Sequence, residues 1–274
     1  MRHPRLGGSG VADLFPVSAA ITTKTRDKSP TLIAVAHGSR DPRAAATVDK
    51  LLTVLRGGRP GLDVRAAFLD HCAPSLPQVL GSVDTCIVVP LLLTDAYHSK
   101  ADIPAQLASV LSALPQLDVR LSGTLGPHPL LLAALDRRLR ETGDFPRAHT
   151  SVVLAAAGSS DPTANAAIAA LAARMRSAGG WRRVVPAYAS AAGRRPDEAV
   201  RALRAADPAS PIVVASYLLA PGHFADKIRD TALAAGAAGV SAVLGDAPEV
   251  AGVIMDRYQA AVRAELTVPL VARA

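Results

Sequence analysis

The sequence predicts an α/β protein made of two tandem, doubly wound, parallel-sheet domains related by internal duplication, and three observations predict it. First, Leu32-Ile33-Ala34-Val35-Ala36-His37-Gly38-Ser39-Arg40-Asp41-Pro42 returns as Val152-Val153-Leu154-Ala155-Ala156-Ala157-Gly158-Ser159-Ser160-Asp161-Pro162, at an offset of 120. Gly, Ser, Asp and Pro are kept between the copies, whereas His37 becomes Ala157 and Arg40 becomes Ser160. Second, apolar runs of four to seven residues alternate with stretches of helical period. Those runs lack the alternation of a strand with one wet face, so they suit a parallel sheet covered by helices on both sides. Third, 274 residues divide naturally into two units of about 115 residues, each long enough to bury a core.

Taken in order, the strands of the first half are predicted at 31–36, 63–69, 84–92 and 117–121, each a short apolar run. Helices follow near 43–57, 74–81, 100–114 and 129–142. Asp41-Pro42 opens the first helix as an N-cap and first-turn proline, a structural role because Asp161-Pro162 repeats it. The second half repeats the order with strands near 151–156, 183–188, 211–217 and 240–244. Further echoes support the duplication: Ile87-Val88-Val89 returns as Ile212-Val213-Val214, and Leu125-Gly126 with Pro129 returns as Leu244-Gly245 with Pro248. On this alignment His98 matches His223. The expected organisation is a disordered extension at 1–30, a reactive half at 31–147, a degenerate half at 148–268 with the linker near 143–149, and a tail at 269–274.

Composition narrows the function. No apolar run approaches the roughly 18 to 20 residues of a membrane span, and the N-terminus lacks a signal peptide's apolar core, so a soluble cytoplasmic protein is expected. Cys72 and Cys86 form no CxxC pair, which supports neither a disulfide framework nor a cysteine zinc site, and both read as small buried hydrophobes. The net charge is +7, but residues 1–30 carry five Lys or Arg against two Asp, which leaves about +4 for the rest. Without a basic stripe or interleaved aromatics the chain is a poor nucleic-acid binder. It suits an acidic small molecule.

In open parallel sheets ligands sit beyond the carboxyl ends of the strands. His37 follows the first strand and His98 the third, so both belong at one sheet edge. Two neutral imidazoles make a site for a borderline divalent metal such as Fe²⁺, Co²⁺ or Ni²⁺. Either alone is better explained as a satisfied loop histidine; the two together at matching ends of strands one and three, in a duplicated frame whose second copy lacks His37, favour a site.

The segments AHGSRDP after the first strand, AFLDHCAPSL after the second and VVPLLLTDAYHSKADIP after the third resemble those of the sirohydrochlorin chelatases. These enzymes insert a divalent metal into a uroporphyrin-derived ring without ATP. The likeness covers about residues 31–265, in the long two-domain form of the family, and implies its chelatase-like variant of the flavodoxin-like fold. It implies His37 and His98 as the metal-binding and proton-removing residues. The family usually carries glutamate after the second strand, where this chain has Asp70, a shorter carboxylate. Asp70 reads as a proton acceptor or outer ligand, or as an ordinary strand-end aspartate.

The substrate the resemblance implies is a polycarboxylate, so Arg40, Arg43 and Lys100 are candidate rim cations, and Gly38 and Ser39 permit close backbone approach. Asp102 either orients His98 or serves the start of a helix. His71, His128 and His149 read as surface residues, and His223 is left over in a half without a counterpart of His37. Iron insertion to give sirohaem is the expected reaction, with divalent metal and sirohydrochlorin as substrates, no permanently bound cofactor, and a monomer whose halves face each other. Cobalt or nickel insertion, as in cobalamin synthesis, would use the same residues, and a non-catalytic metal or tetrapyrrole carrier is the alternative of another class. A histidine phosphoryl-transfer enzyme is disfavoured by Ala36 where an arginine would hold phosphate, and no GxGxxG supports a dinucleotide site.

Overall fold

The computed structural model describes residues 29–94, 102–190 and 193–266. Most of the N-terminal extension, the tail, and the segment that carries His98 and Lys100 lie outside the described residues.

The first sheet contains β1 (Thr31–Ala36), β2 (Val64–Phe68), β3 (Thr85–Pro90) and β4 (Asp118–Leu121), all parallel, in the order β2-β1-β3-β4. Interspersed are α1 (Pro42–Gly58), α2 (Leu76–Leu80), α3 (Ile103–Ala113) and α4 (Pro129–Thr142). After a short 3-10 turn at Arg147–His149 the pattern repeats with β5 (Ser151–Ala156), α5 (Pro162–Gly179), β6 (Arg183–Tyr188), α6 (Pro196–Ala206), β7 (Ile212–Tyr217), α7 (His223–Ala234), β8 (Gly239–Val240) and α8 (Pro248–Leu266). Its sheet order, β6-β5-β7-β8, is that of the first half shifted by four strands. The expected duplicated, doubly wound α/β fold is therefore present.

Local signals explain the element edges. Asp41 and Asp161 cap α1 and α5, each accepting the backbone N–H two residues on, with proline next in line. A capping box between Ser75 and Gln78 starts α2 at Leu76, two residues later than the sequence suggested. β8 is shorter than its predicted 240–244 because side chains replace the ladder there: Ser241 Oγ accepts the Ser216 N–H at 3.0 Å, and the Ser216 hydroxyl donates to the Ser241 carbonyl at 2.9 Å.

The ladders also correct the alignment of the third strands. β1 pairs Thr31 with Cys86, and β5 pairs Ser151 with Ile212, so the offset there is 212 − 86 = 126. Matching His98 with His223 then requires a connection one residue shorter in the second half.

His128, read from the sequence as a surface residue, caps α4. Its Nδ1 accepts the Leu130 N–H at 3.2 Å while Nε2 lies 3.4 Å from the Asp256 carboxylate, and only 18% of the side chain is exposed. An acceptor nitrogen must be unprotonated, and desolvation holds this imidazole below its usual range.

The decisive packing feature is an exchange of helices. α4, which ends the first half, packs on β7 and β8, and α8, which ends the second, packs on α1 and β3. Accordingly one apolar cluster runs through both halves, joining Leu32, Ile87 and Val89 of the first sheet to Val152, Leu154 and Val213 of the second through buried residues of α1, α4, α5 and α8. The outer sheet faces are covered separately, by α2 and α3 around Ile33, Val35 and Val88 and by α6 and α7 around Val153, Val214 and Ile228.

Ile254 of α8 is fully buried in the shared cluster. Replacing it by alanine should cost about 2–5 kcal/mol, and denaturant unfolding followed at probes in each half should shift as one transition. Loss of the second half alone, with the first half's midpoint unchanged, would contradict the shared core.

Candidate active site

β1 delivers His37 to the carboxyl edge of its sheet. The ladder continues past the strand ends, with the Leu69 N–H on the Ala36 carbonyl at 3.1 Å and the Asp70 N–H on the His37 carbonyl at 2.9 Å, so the His37 backbone is held on both sides. Gly38 turns the chain with φ of +94°, and a Cβ there would lie 1.8 Å from the Asp70 carbonyl oxygen. Only glycine fits this approach. The His37 Nδ1 lies 3.2 Å from the Gly38 carbonyl oxygen. A carbonyl can only accept, so in this contact Nδ1 is the donor.

His37, Gly38 and Ser39 line a cleft of about 390 Å³ whose other wall comes from the second half, through Pro221, Gly222 and His223. A neighbouring cleft of about 510 Å³ has the reverse parentage: Ala157 and Ser159 of the second half with Leu93 and Thr94 of the first. Leu91, Leu92, Leu218, Leu219 and Phe224 line both. At this floor the Tyr217 hydroxyl donates to the Leu93 carbonyl at 3.1 Å, joining the carboxyl ends of β7 and β3.

Other candidates are placed differently. Asp70 contributes its backbone to the His37 turn, but its carboxylate accepts the His71 N–H at 2.7 Å, lies 3.4 Å from the His71 Nδ1 and is 64% exposed. Arg40 is exposed beside the cleft. Arg43, expected to bind substrate carboxylates, is instead occupied by two of the protein's own: Nη2 lies 2.6 Å from Asp41 and 2.5 Å from Asp226, the latter in the first turn of α7. Lone exposed arginines resemble one another in sequence, and this partner is 183 residues away. Cys86 is buried, and burial pushes its thiol up to about 12. Cys72 is half-buried rather than a core residue, and its thiol donates to the Ser39 carbonyl at 3.2 Å.

The second half preserves the frame of this loop pair without the imidazole or the carboxylate. The Ser190 N–H bonds the Ala157 carbonyl at 2.9 Å, just as Asp70 bonds His37, and Gly158 has φ of +85°. Ser190 thus stands where Asp70 does, at the same offset of 120; the surrounding sequences share too little for that match to be read directly. His223 is the residue sequence reasoning set aside and the structure returns to the cleft of His37.

Comparison with known proteins gives the family and the fold. The model of the CbiX family matches residues 31–142 and again residues 151–261. A sirohydrochlorin ferrochelatase of Priestia megaterium is 27% identical over 219 residues, covering 76% of this chain and 80% of that protein. A sirohydrochlorin cobaltochelatase of the same organism is 31% identical over 142 residues, covering 48% of this chain and 45% of that protein. Among solved structures, SirB from Bacillus subtilis with Fe³⁺ superposes with a TM-score of 0.76 at 24% identity, over 87% of this chain and 98% of that one, a likeness of fold.

Arg43 holds the Asp226 and Asp41 carboxylates below their ordinary range, chiefly by side-chain hydrogen bonds. A depressed carboxylate stabilises the fold above its unfolded pKa of about 4 and loses that contribution as pH falls through the lower folded value. Arg43→Met should therefore lower the melting temperature at pH 7 and low salt. The difference from wild type should narrow below about pH 4 and with added salt; a difference independent of both would assign Arg43 a packing role only.

Proposed function

Because the chain belongs to the CbiX family, with one match of its model in each half, we propose that it inserts a divalent metal ion into sirohydrochlorin. Two ring N–H protons are released as metal–nitrogen bonds form, so the metal's two charges replace those of the protons. Fe²⁺ is the proposed metal, giving sirohaem: the ferrochelatase relative matches 76% of this chain and the cobaltochelatase relative 48%. Cobalt insertion is the second reading, favoured by that same cobaltochelatase likeness.

The observation that carries the proposal is His37 itself. It sits at a sheet edge in a cleft lined by both halves, with Nδ1 beside the Gly38 carbonyl. Neutral imidazole can bind a borderline metal weakly enough to hand it on, or accept a proton from a ring nitrogen. Release needs open ligation, which a loop-borne imidazole provides and a closed four-ligand cage would not. The apolar floor of leucines suits the flat face of a macrocycle, and the exposed Arg40 beside it suits a peripheral carboxylate.

His98 and Asp70 are proposed, on the family resemblance, as the partners of His37 in metal binding and proton removal, and Lys100 as a second rim cation. The exposure of the Asp70 carboxylate and its contact with His71 favour an outer role, receiving protons already removed from the ring. No helix of the described residues is long and apolar enough to cross a membrane.

Anaerobic absorbance assays with sirohydrochlorin and Fe²⁺, Co²⁺ or Ni²⁺ test the reading. His37→Ala should lower the insertion rate by at least about 10²-fold, the low end for losing a positioned proton-transfer group, with the melting curve retained. Full activity in that variant would remove His37 from the reaction. Stoichiometric binding by the wild type without proton release or metallated product would favour a carrier.

A further inference from the structure

His223 is the first residue of α7, and it lines the cleft of His37 rather than the one walled by Ala157. Its ring, on an exposed residue, stands 5.7 Å from the Phe224 ring at an angle of 54°. Phe224 lines both clefts. The second half has lost the imidazole and carboxylate of its own strand-end loops, at Ala157 and Ser190, but the imidazole it keeps faces the other half's cleft.

The two histidine-bearing loops are also fixed to each other. Asp226, in the first turn of α7, receives both terminal nitrogens of Arg43, at 2.5 and 3.3 Å, and Arg43 lies in the first turn of α1, the helix that the His37 loop enters. Asp41 and Arg229 complete this charge cluster. A paired guanidinium in this position ties the start of α7 to the start of α1, and so holds His223 in register with His37 across the boundary between halves.

We infer that His223 is a ligand to the incoming divalent metal, supplied by the second half to the site that contains His37. The inference rests on the proposed metal insertion. Two neutral imidazoles on separate, mutually anchored loops suit a borderline divalent ion and leave coordination positions open for transfer to the ring. Ligation from both halves also explains why the second half keeps His223 after losing the rest of its reactive groups. Its imidazole acts on the other half's cleft.

Anaerobic titration of the full-length chain with Co²⁺ alone, followed by visible absorbance, tests this without requiring turnover. His223→Ala and His223→Gln should each weaken Co²⁺ binding by at least the roughly tenfold that loss of even an outer partner costs. His149→Ala, which removes an exposed imidazole beyond the clefts, should leave the titration unchanged. In the metallation assay His223→Ala should raise the KM for metal more than it lowers kcat. Wild-type Co²⁺ affinity in both His223 variants, alongside a loss in His37→Ala, would overturn the inference while leaving the proposed reaction intact. Wild-type protein that binds Co²⁺ through His223 but never metallates sirohydrochlorin would overturn the reaction and leave the ligand assignment standing.

Discussion

The exchange of α4 and α8 is the constraint on which the rest of the molecule depends. Each sheet leaves one apolar face to be covered by the helix that ends the other half, so neither core closes alone. Residues such as Ile87 and Val213, fully buried in the joint cluster, would otherwise face solvent at a cost of roughly 1.5–3 kcal/mol per side chain. The same packing determines where the sheets' carboxyl edges point. With α4 lying on β7 and α8 on β3, those edges meet, and the Tyr217 hydroxyl reaches the Leu93 carbonyl. The cleft is thus a consequence of how the core is shared.

On that frame, side-chain chemistry is positioned by backbone closure. The extension of the β1–β2 ladder through Leu69 and Asp70 holds His37 in place, and the close approach it creates excludes any Cβ at residue 38. Gly158 and Ser190 reproduce the arrangement around Ala157. Duplication therefore retained the device that aims a residue into the cleft and lost the residue it aims. The turn is indifferent to whether imidazole or methyl precedes it, because it is made by backbone groups and a positive-φ glycine rather than by the side chain at position 37 or 157.

Much of this was legible in the chain. Uniformly apolar runs disclosed parallel strands, and the repeat at an offset of 120 disclosed the duplication and singled out His37. What was not legible depends on long-range contact. The apolar stripe of α4 announces burial but not which sheet covers it, because periodicity carries no address. Arg43 looked like a rim cation because its partner, Asp226, comes from the other half. His128 looked like a surface residue because an N-cap histidine has no compositional signature, and the one-residue slip between the third strands was hidden by the Ile-Val-Val identity shared by two different registers.

The two clefts share a floor of Leu91, Leu92, Leu218 and Leu219 with Phe224 beside it, so they form one apolar trough with two unlike ends. At one end stand His37 and His223; at the other, Ala157 and the hydroxyl residues Ser159, Ser160 and Ser190. A symmetric duplicate would present the same groups at both ends and could not distinguish the two orientations of a ligand lying across it. Loss of the imidazole at position 157 breaks that degeneracy, while the shared apolar floor continues to bury surface at either end. The asymmetry between the halves is thus one of side chains on a common frame: both ends share the apolar floor, while among the described residues imidazoles line one end alone.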